Sequence, residues 1–559
     1  MKKYFYLIPL VLALASCQKE KASDNREVYY NAKIYTADAN NPEASAIVVE
    51  DGKLIYVGSN EKALAMVSAD SLKHDMGNKL IIPGLMDTHC HYFGLCNAVS
   101  GREMLMLDPH ASHEETLQMV KAYANKHSKE ETPFIVGMGW GHNVKTLASE
   151  LDKLGIDRPI LLADIDGHTS WANSAVFQAV GVDKNTPDIA PGASGFTRDA
   201  QGNPTGRIFE PAQCSWVMQQ LGIYGKDDVL AGMPYVDGHY NSLGITTVYD
   251  AGGLAINDSL ALQAASEAPD HTIRVFASIY YNGLESDDEY IARAKRMRQR
   301  YSTDMLRPNT LKAFKDGTTD AGTALVFKPY TPALGKGTGN NMLSSEKILS
   351  VTKRAAAEGM NIHVHCIGDR AVSEMLDVMH DLGSISGTKT LAHCELLSGG
   401  ALEKFYQNTD VVCSTTPAWM TELKLTREYM GDEDYFKYHM PLKSLIDGGI
   451  TVTFGSDAPT SEVGMYPMNN IWSATCQGID PSLIDRKEQN LTVAQCIDSY
   501  TILAAKQLGV TDELGSLTTG KWADFVVLDQ DIFSIPVTEI KHVNVEETYL
   551  KGKQVFVKQ

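Results

Sequence analysis

His89 and His91 stand two residues apart in the run IIPGLMDTHCHYF. On an extended strand, side chains two apart share a face, so the two imidazoles can hold one cation together. Pro83, Gly84 and Asp87 precede the pair and fit a strand ending at the C-terminal face of a barrel, where barrel active sites lie. A His-x-His pair alone also occurs on protein surfaces, and it gains weight from residues further along the chain. Single polar residues close later apolar runs: Lys312 in TLKAFKDGTT, His365 in NIHVHCIGD, His393 in KTLAHCELL and Asp457 in ITVTFGSDAP. Burying such groups unpaired is costly, so their recurrence at equivalent strand ends argues for a shared metal. Taken singly, His393 reads as a hydrogen-bonded core histidine and Asp457 as a turn or cap residue.

Eight strand-like runs carry these residues. They are IIPGLMDTHCHYF, ITTVYDAGG, IRVFASIYYN, TLKAFKDGTT, NIHVHCIGD, KTLAHCELL, DVVCSTTPAW and ITVTFGSDAP, and helix-length amphipathic stretches alternate with them. This is the pattern of a parallel sheet wrapped by helices, so the expected fold class is α/β, a (β/α)8 TIM-like barrel. About residues 102–240 fall between the first two strands and form an insertion with its own helices and strands. Short β-rich runs with an Asp51-Gly52 hairpin signal precede the barrel, and GSLTTGKWADFVVLD and EETYLKGKQVFVK follow it. The two ends are expected to pair as a small β-sandwich. The boundaries read as 28–80 for its first part, 81–509 for the barrel and 510–559 for its second part.

With 559 residues, 43% of them hydrophobic, the chain suits a large enzyme with a sizeable core. Its 69 acidic and 50 basic residues give a net charge of -19, which repels nucleic acid. Lys2 and Lys3 precede an apolar run from Tyr4 to Ala15, too short to span a bilayer, which reads as an export signal. The run ends in LASC, which resembles a bacterial lipobox, so residues 1–17 read as a lipoprotein signal peptide with lipid on Cys17. QKEKASDNRE then serves as a tether, 18–27, and the protein is expected to be exported and anchored to the cell envelope only through that lipid. The other eight cysteines show no tight spacing and are expected as reduced, buried thiols. Cys90, Cys366 and Cys394 directly follow His89, His365 and His393, and strand alternation turns each away from its histidine.

The segments IIPGLMDTHCHYF, LKAFKDG, HVHCIGDRAV, LAHCELL, FGSDAP and GSLTTGKWADFVVLDQD together resemble the amidohydrolase superfamily. More narrowly they are similar to its YtcJ-like branch, amidohydrolase family 3, which includes N-substituted formamide deformylases. The resemblance runs from about Val28 to the C-terminus. It implies one or two divalent ions, usually zinc, held by His89, His91, His365, His393 and Asp457. It also implies that Lys312 is a ligand, which requires a neutral amine that has captured CO2 as a carbamate bridging two metals. The alternative is a one-metal site in which Lys312 pairs with a carboxylate such as Asp316. Strand alternation places Lys315 on the opposite face. His363 shares a face with His365 and competes for the ligand role, and the HxxGDRA pattern favours His365.

The branch often carries Glu before the strand-six ligand, where this chain has Ala392. Further roles expected are Asp457 as general base, Asp369 and Arg370 as braces of the strand-five ligand, with a structural salt bridge as their alternative, and Glu210 near the metals or bracing the insertion. GMGWGHN and DGHTSWANS make Trp140, His168, Trp171 and Asn173 candidates for the wall of the substrate pocket, with core packing as the alternative for the aromatics. The implied reaction is hydrolysis of a carbon–nitrogen bond in a small amide, formamide or cyclic amide by metal-activated hydroxide. The competing readings are a deaminase or a lactone or ester hydrolase, and a binding lipoprotein without turnover. The expected partners are a small-molecule substrate and no nucleic acid, with a homodimer left open.

Overall fold

Apolar, β-branched runs such as ITTVYD and NIHVHC have no solvated face to alternate with, and every residue of both strands is buried. The structure, a computed structural model, describes residues 25–559 except 142–143, 165–168, 253–255, 269, 333–336, 422–423 and 462. Cys17, most of the tether and His168 therefore lie outside the described residues.

Eight parallel strands form one sheet in sequence order. They are β1 (Leu85–Cys90), β2 (Ile245–Asp250), β3 (Arg274–Tyr280), β4 (Leu306–Phe314), β5 (Asn361–Cys366), β6 (Lys389–His393), β7 (Val411–Thr415) and β8 (Val452–Phe454). Each corresponds to one run named from the sequence. The sheet nearly closes, because the Thr88 hydroxyl donates to the Phe454 carbonyl at 2.8 Å and Asp457 N–H donates to the His89 carbonyl at 2.7 Å. A Cβ on Gly455 would lie 2.6 Å from the Cβ of His89, so only glycine lets β8 pass this close to the β1 histidine. Cys90, Cys366 and Cys394 lie in the main apolar core, and all eight cysteines among the described residues are free and buried.

The insertion has its own six-stranded sheet, from Leu105–Met106 to Pro204–Phe209, and returns to the barrel through the helix Lys226–Ser242. The chain ends meet in a second six-stranded sheet, in which Phe525–Leu528 runs antiparallel to Leu80–Pro83. A four-stranded sheet from residues 26–75 packs near it, and Tyr29, Ile47, Phe525 and Tyr549 share one core. Asp524 ties this region to the barrel: its carboxylate accepts from buried Arg274 of β3 at 2.7 Å and from Lys551 N–H at 2.8 Å. Asp524→Ala strands the Arg274 charge and is expected to cost about 3 kcal/mol, read as a lower urea midpoint. An unchanged midpoint would show that the pair does not join the two parts.

Candidate metal centre

Alternation along β1 turns His89 inward, and the chain just beyond it brings His91 to the same place. His91 N–H donates to the Ala458 carbonyl at 2.8 Å, so two hydrogen bonds lock the end of β1 to the segment after β8. Asp87 adds a third tie, accepting from His89 N–H at 3.2 Å, Ser456 N–H at 2.9 Å and the Ser456 hydroxyl at 2.5 Å. Asp457 is thereby set opposite both histidines, with a backbone φ of +53° that a non-glycine residue adopts only under constraint. Its Oδ1 lies 3.4 Å from His89 Nε2 and 3.3 Å from His91 Nε2, and one donor atom from each of the three residues falls within 4.8 Å of the others.

The ring nitrogens of His91 have distinct tasks. Its Nδ1 faces the Gly252 carbonyl at 2.9 Å, which fixes the proton there and leaves Nε2 with a lone pair toward Asp457. Asp250, at the end of β2, braces this by accepting from Gly252 N–H and Phe93 N–H, both at 3.1 Å. Burial holds the His89, His363 and His365 imidazoles well below their ordinary range and His393 at about 4, so all four are neutral donors. Burial also acts to raise the Asp457 carboxyl, but the adjacent His91 and His393 outweigh it and hold the group below the usual carboxylate range.

His365 Nε2 faces the Gly317 carbonyl at 3.1 Å, which leaves Nδ1 for a ligand, and its ring centre lies 4.5 Å from that of His393. The His393 ring is in turn 4.7 Å from that of His89. Lys312 is wholly buried, and its amine has no hydrogen-bonding partner among the described residues. Burial lowers it to about 7, partly opposed by Asp457. His89 Nε2 is likewise buried without a hydrogen bond. Two orphaned basic nitrogens beside a carboxylate and neutral imidazoles fit a divalent cation, which would satisfy donors that water does not reach.

Residues 74–556 match the Amidohydrolase family. The chain belongs to that family. It is a metal-dependent hydrolase. This amidohydrolase is 29% identical over 439 residues to the exoenzymes regulatory protein AepA of Pectobacterium carotovorum subsp. carotovorum, covering 76% of this chain and 92% of that protein. It is 24% identical over 547 residues to the N-substituted formamide deformylase of Arthrobacter pascens, covering 93% and 96%. A metal-dependent hydrolase of Pyrococcus horikoshii OT3 shares its fold with a TM-score of 0.70 at 23% identity, over 92% of this chain and 99% of that one.

Around the centre of the amidohydrolase, several residues named from sequence stand elsewhere. Asp316 accepts from Leu325, Ile367 and Gly368 N–H at 2.8 to 3.0 Å and lies 3.7 Å from His365, so it is engaged at β5 rather than paired with Lys312. Asp369 accepts from Phe327 N–H and the Ser398 hydroxyl, joining the loops after β4 and β6, and Arg370 pairs with Glu374 one helical turn on. These partners differ from the expected brace on His365. Lys315 points away from the centre to Glu374, at 2.7 Å.

Trp140 and Trp171 lie in the insertion's own core, with their indole N–H groups donating to the Leu162 and Leu147 carbonyls. Asn173 caps the helix Ser174–Val180 and accepts from Ile160 N–H at 3.0 Å. The polar atoms of these three residues are thus used inside the insertion. Glu210 is buried at a φ of +66° where the strand Pro204–Phe209 turns into the helix Pro211–Leu221.

Three neighbours of the centre escaped the sequence reading. Trp419 stacks on His393 with ring centres 5.4 Å apart and an interplanar angle of 12°. Glu395, two residues after His393, accepts from the Thr319 hydroxyl at 3.1 Å and lies 3.3 Å from His439 Nε2. It supplies a carboxylate beyond strand six where the branch often has one before it. Asp250 is the third, and its only sequence signal was its place at the end of an apolar run.

Proposed function

We propose that this amidohydrolase cleaves a non-peptide carbon–nitrogen bond in a small amide, formamide or cyclic amide. Zinc is the proposed ion, which His89, His91 and Asp457 would hold, and His365, His393 and a carboxylated Lys312 would be the donors for a second. The observation that carries this reading is the Lys312 amine, buried near Asp457 with no hydrogen-bonding partner among the described residues. Burial keeps a fraction of it neutral at neutral pH, the form that adds CO2 and gives up a proton to become a carbamate anion. When bound, the divalent ion polarises the substrate carbonyl and acidifies water.

The protein's own groups then handle positions and protons. Asp457 accepts the proton of the attacking water at its carboxylate and returns it to the leaving nitrogen. Thr460, donating to Asp457 Oδ2 at 2.8 Å, keeps the other oxygen aimed at the histidines. Gly252 and Gly317 carbonyls hold the His91 and His365 rings in fixed tautomers, so neither ligand needs to rotate during turnover.

Turnover of N-formyl amines, lactones and aminopurines by the zinc-loaded enzyme tests the substrate class. N-formyl amines are expected to give kcat/KM at least about a hundred-fold above the other two, a difference of about 3 kcal/mol in transition-state stabilisation. Preference for an aminopurine or a lactone would replace this reading by deamination or ester hydrolysis.

A further inference from the structure

His363 is an inward-facing residue of β5 with no part in the proposed proton transfers or metal ligation. It pairs in register with Lys312 on β4 and stands two residues before His365 on the same face. Its Nε2 lies 2.9 Å from His89 Nδ1, both rings are buried, and the side chain of Tyr249 from β2 packs on it with ring centres 4.6 Å apart. His89 has one nitrogen left, the orphaned Nε2 that faces Asp457 at 3.4 Å.

We propose that His363 is a positioning residue that fixes His89 as a metal ligand by accepting the proton of His89 Nδ1. A neutral imidazole carries one proton, and a nitrogen that binds a cation carries none. With Nε2 of His89 toward the metal, its proton is on Nδ1, and only an acceptor at His363 Nε2 is compatible with a 2.9 Å contact. His363 in turn carries its own proton on Nδ1. His91 receives the equivalent support from a backbone carbonyl, which no side-chain substitution removes, whereas His89 depends on an imidazole reached across the barrel. Tyr249 holds the His363 ring at an angle of 32° to its own and so restricts the rotation that would break the contact.

The inference rests on His89 being a metal ligand, and the test separates the two claims. Cobalt(II) titration of the metal-free full chain, followed by its visible absorption and by competition with a chelator, compares wild type with His363→Phe and His363→Gln. Phenylalanine keeps a ring against Tyr249 but offers no acceptor, while glutamine restores an oxygen near the Nε2 position. Affinity is expected to fall about 10- to 100-fold in His363→Phe and to stay within about threefold of wild type in His363→Gln. Thermal melts of the metal-free proteins confirm that both variants fold. Unchanged cobalt affinity in His363→Phe overturns the positioning role while leaving the metal centre intact. Loss of a whole equivalent of cobalt in both variants, with a spectrum showing one nitrogen donor fewer, overturns it by making His363 a ligand. A folded wild type that takes up no cobalt removes both claims.

Discussion

His91→Ala is expected to lower kcat/KM by at least about a thousand-fold, equivalent to about 4 kcal/mol of transition-state stabilisation. The substitution removes the Nε2 donor 3.3 Å from Asp457 and the hydrogen bond that fixed its tautomer against Gly252. Bound metal falls with it, because two donor atoms no longer converge with the Asp457 carboxylate. The fold survives, since the main-chain bond from residue 91 to the Ala458 carbonyl and the Asp87 ties to Ser456 do not use the imidazole. Steady-state kinetics, metal analysis and a circular dichroism melt on one preparation read all three. Full activity with full metal content would rule out the assigned centre.

Lys312→Met is expected to act in opposite directions on stability and activity. In metal-free protein and CO2-free buffer, methionine replaces a buried amine that has no hydrogen-bonding partner among the described residues, and stability is expected to rise by about 2 kcal/mol. Burial lowers Lys312 from its ordinary 10.5 to about 7 in the folded chain. Between these values the unfolded chain keeps the proton and the folded chain does not, so wild-type stability rises with pH across that window. The advantage of Lys312→Met is therefore greatest near pH 7 and shrinks toward pH 10. Urea midpoints at several pH values measure it, and an advantage that widens with pH would contradict the account. The zinc-loaded variant is expected to lose turnover by at least about a hundred-fold, because methionine can neither add CO2 nor bridge two ions.

The features of fold and site that are legible in the sequence share one property, dependence on local periodicity. The two-residue period of a strand is enough to turn His89 inward, to separate Lys312 from Lys315 and to turn Cys90 outward, while His91 reaches the same place just beyond the strand end. The eight barrel strands are readable because each is an apolar run bounded by turn residues. Contacts between distant segments are not readable in the same way. His363 meets His89 across 274 residues and Glu395 meets His439 across 44, and both depend on strand register and loop course. Motif resemblance draws Trp140 and Trp171 toward the pocket, yet an indole N–H that ends on the carbonyl of Leu162 or Leu147 is revealed only by the packed insertion. Asp369 shows the same limit: its motif is clear, but its partners Phe327 and Ser398 come from two other loops.

β1, β4, β5, β6 and the segment after β8 are expected to converge on a divalent-metal centre that includes Lys312. Anomalous diffraction at the zinc edge, from crystals of the zinc-loaded protein, tests it most directly. One peak bounded by His89, His91 and Asp457 is expected, with a second bounded by His365 and His393 and electron density extending from Lys312 Nζ between them. A folded protein with no peak among these residues would contradict it.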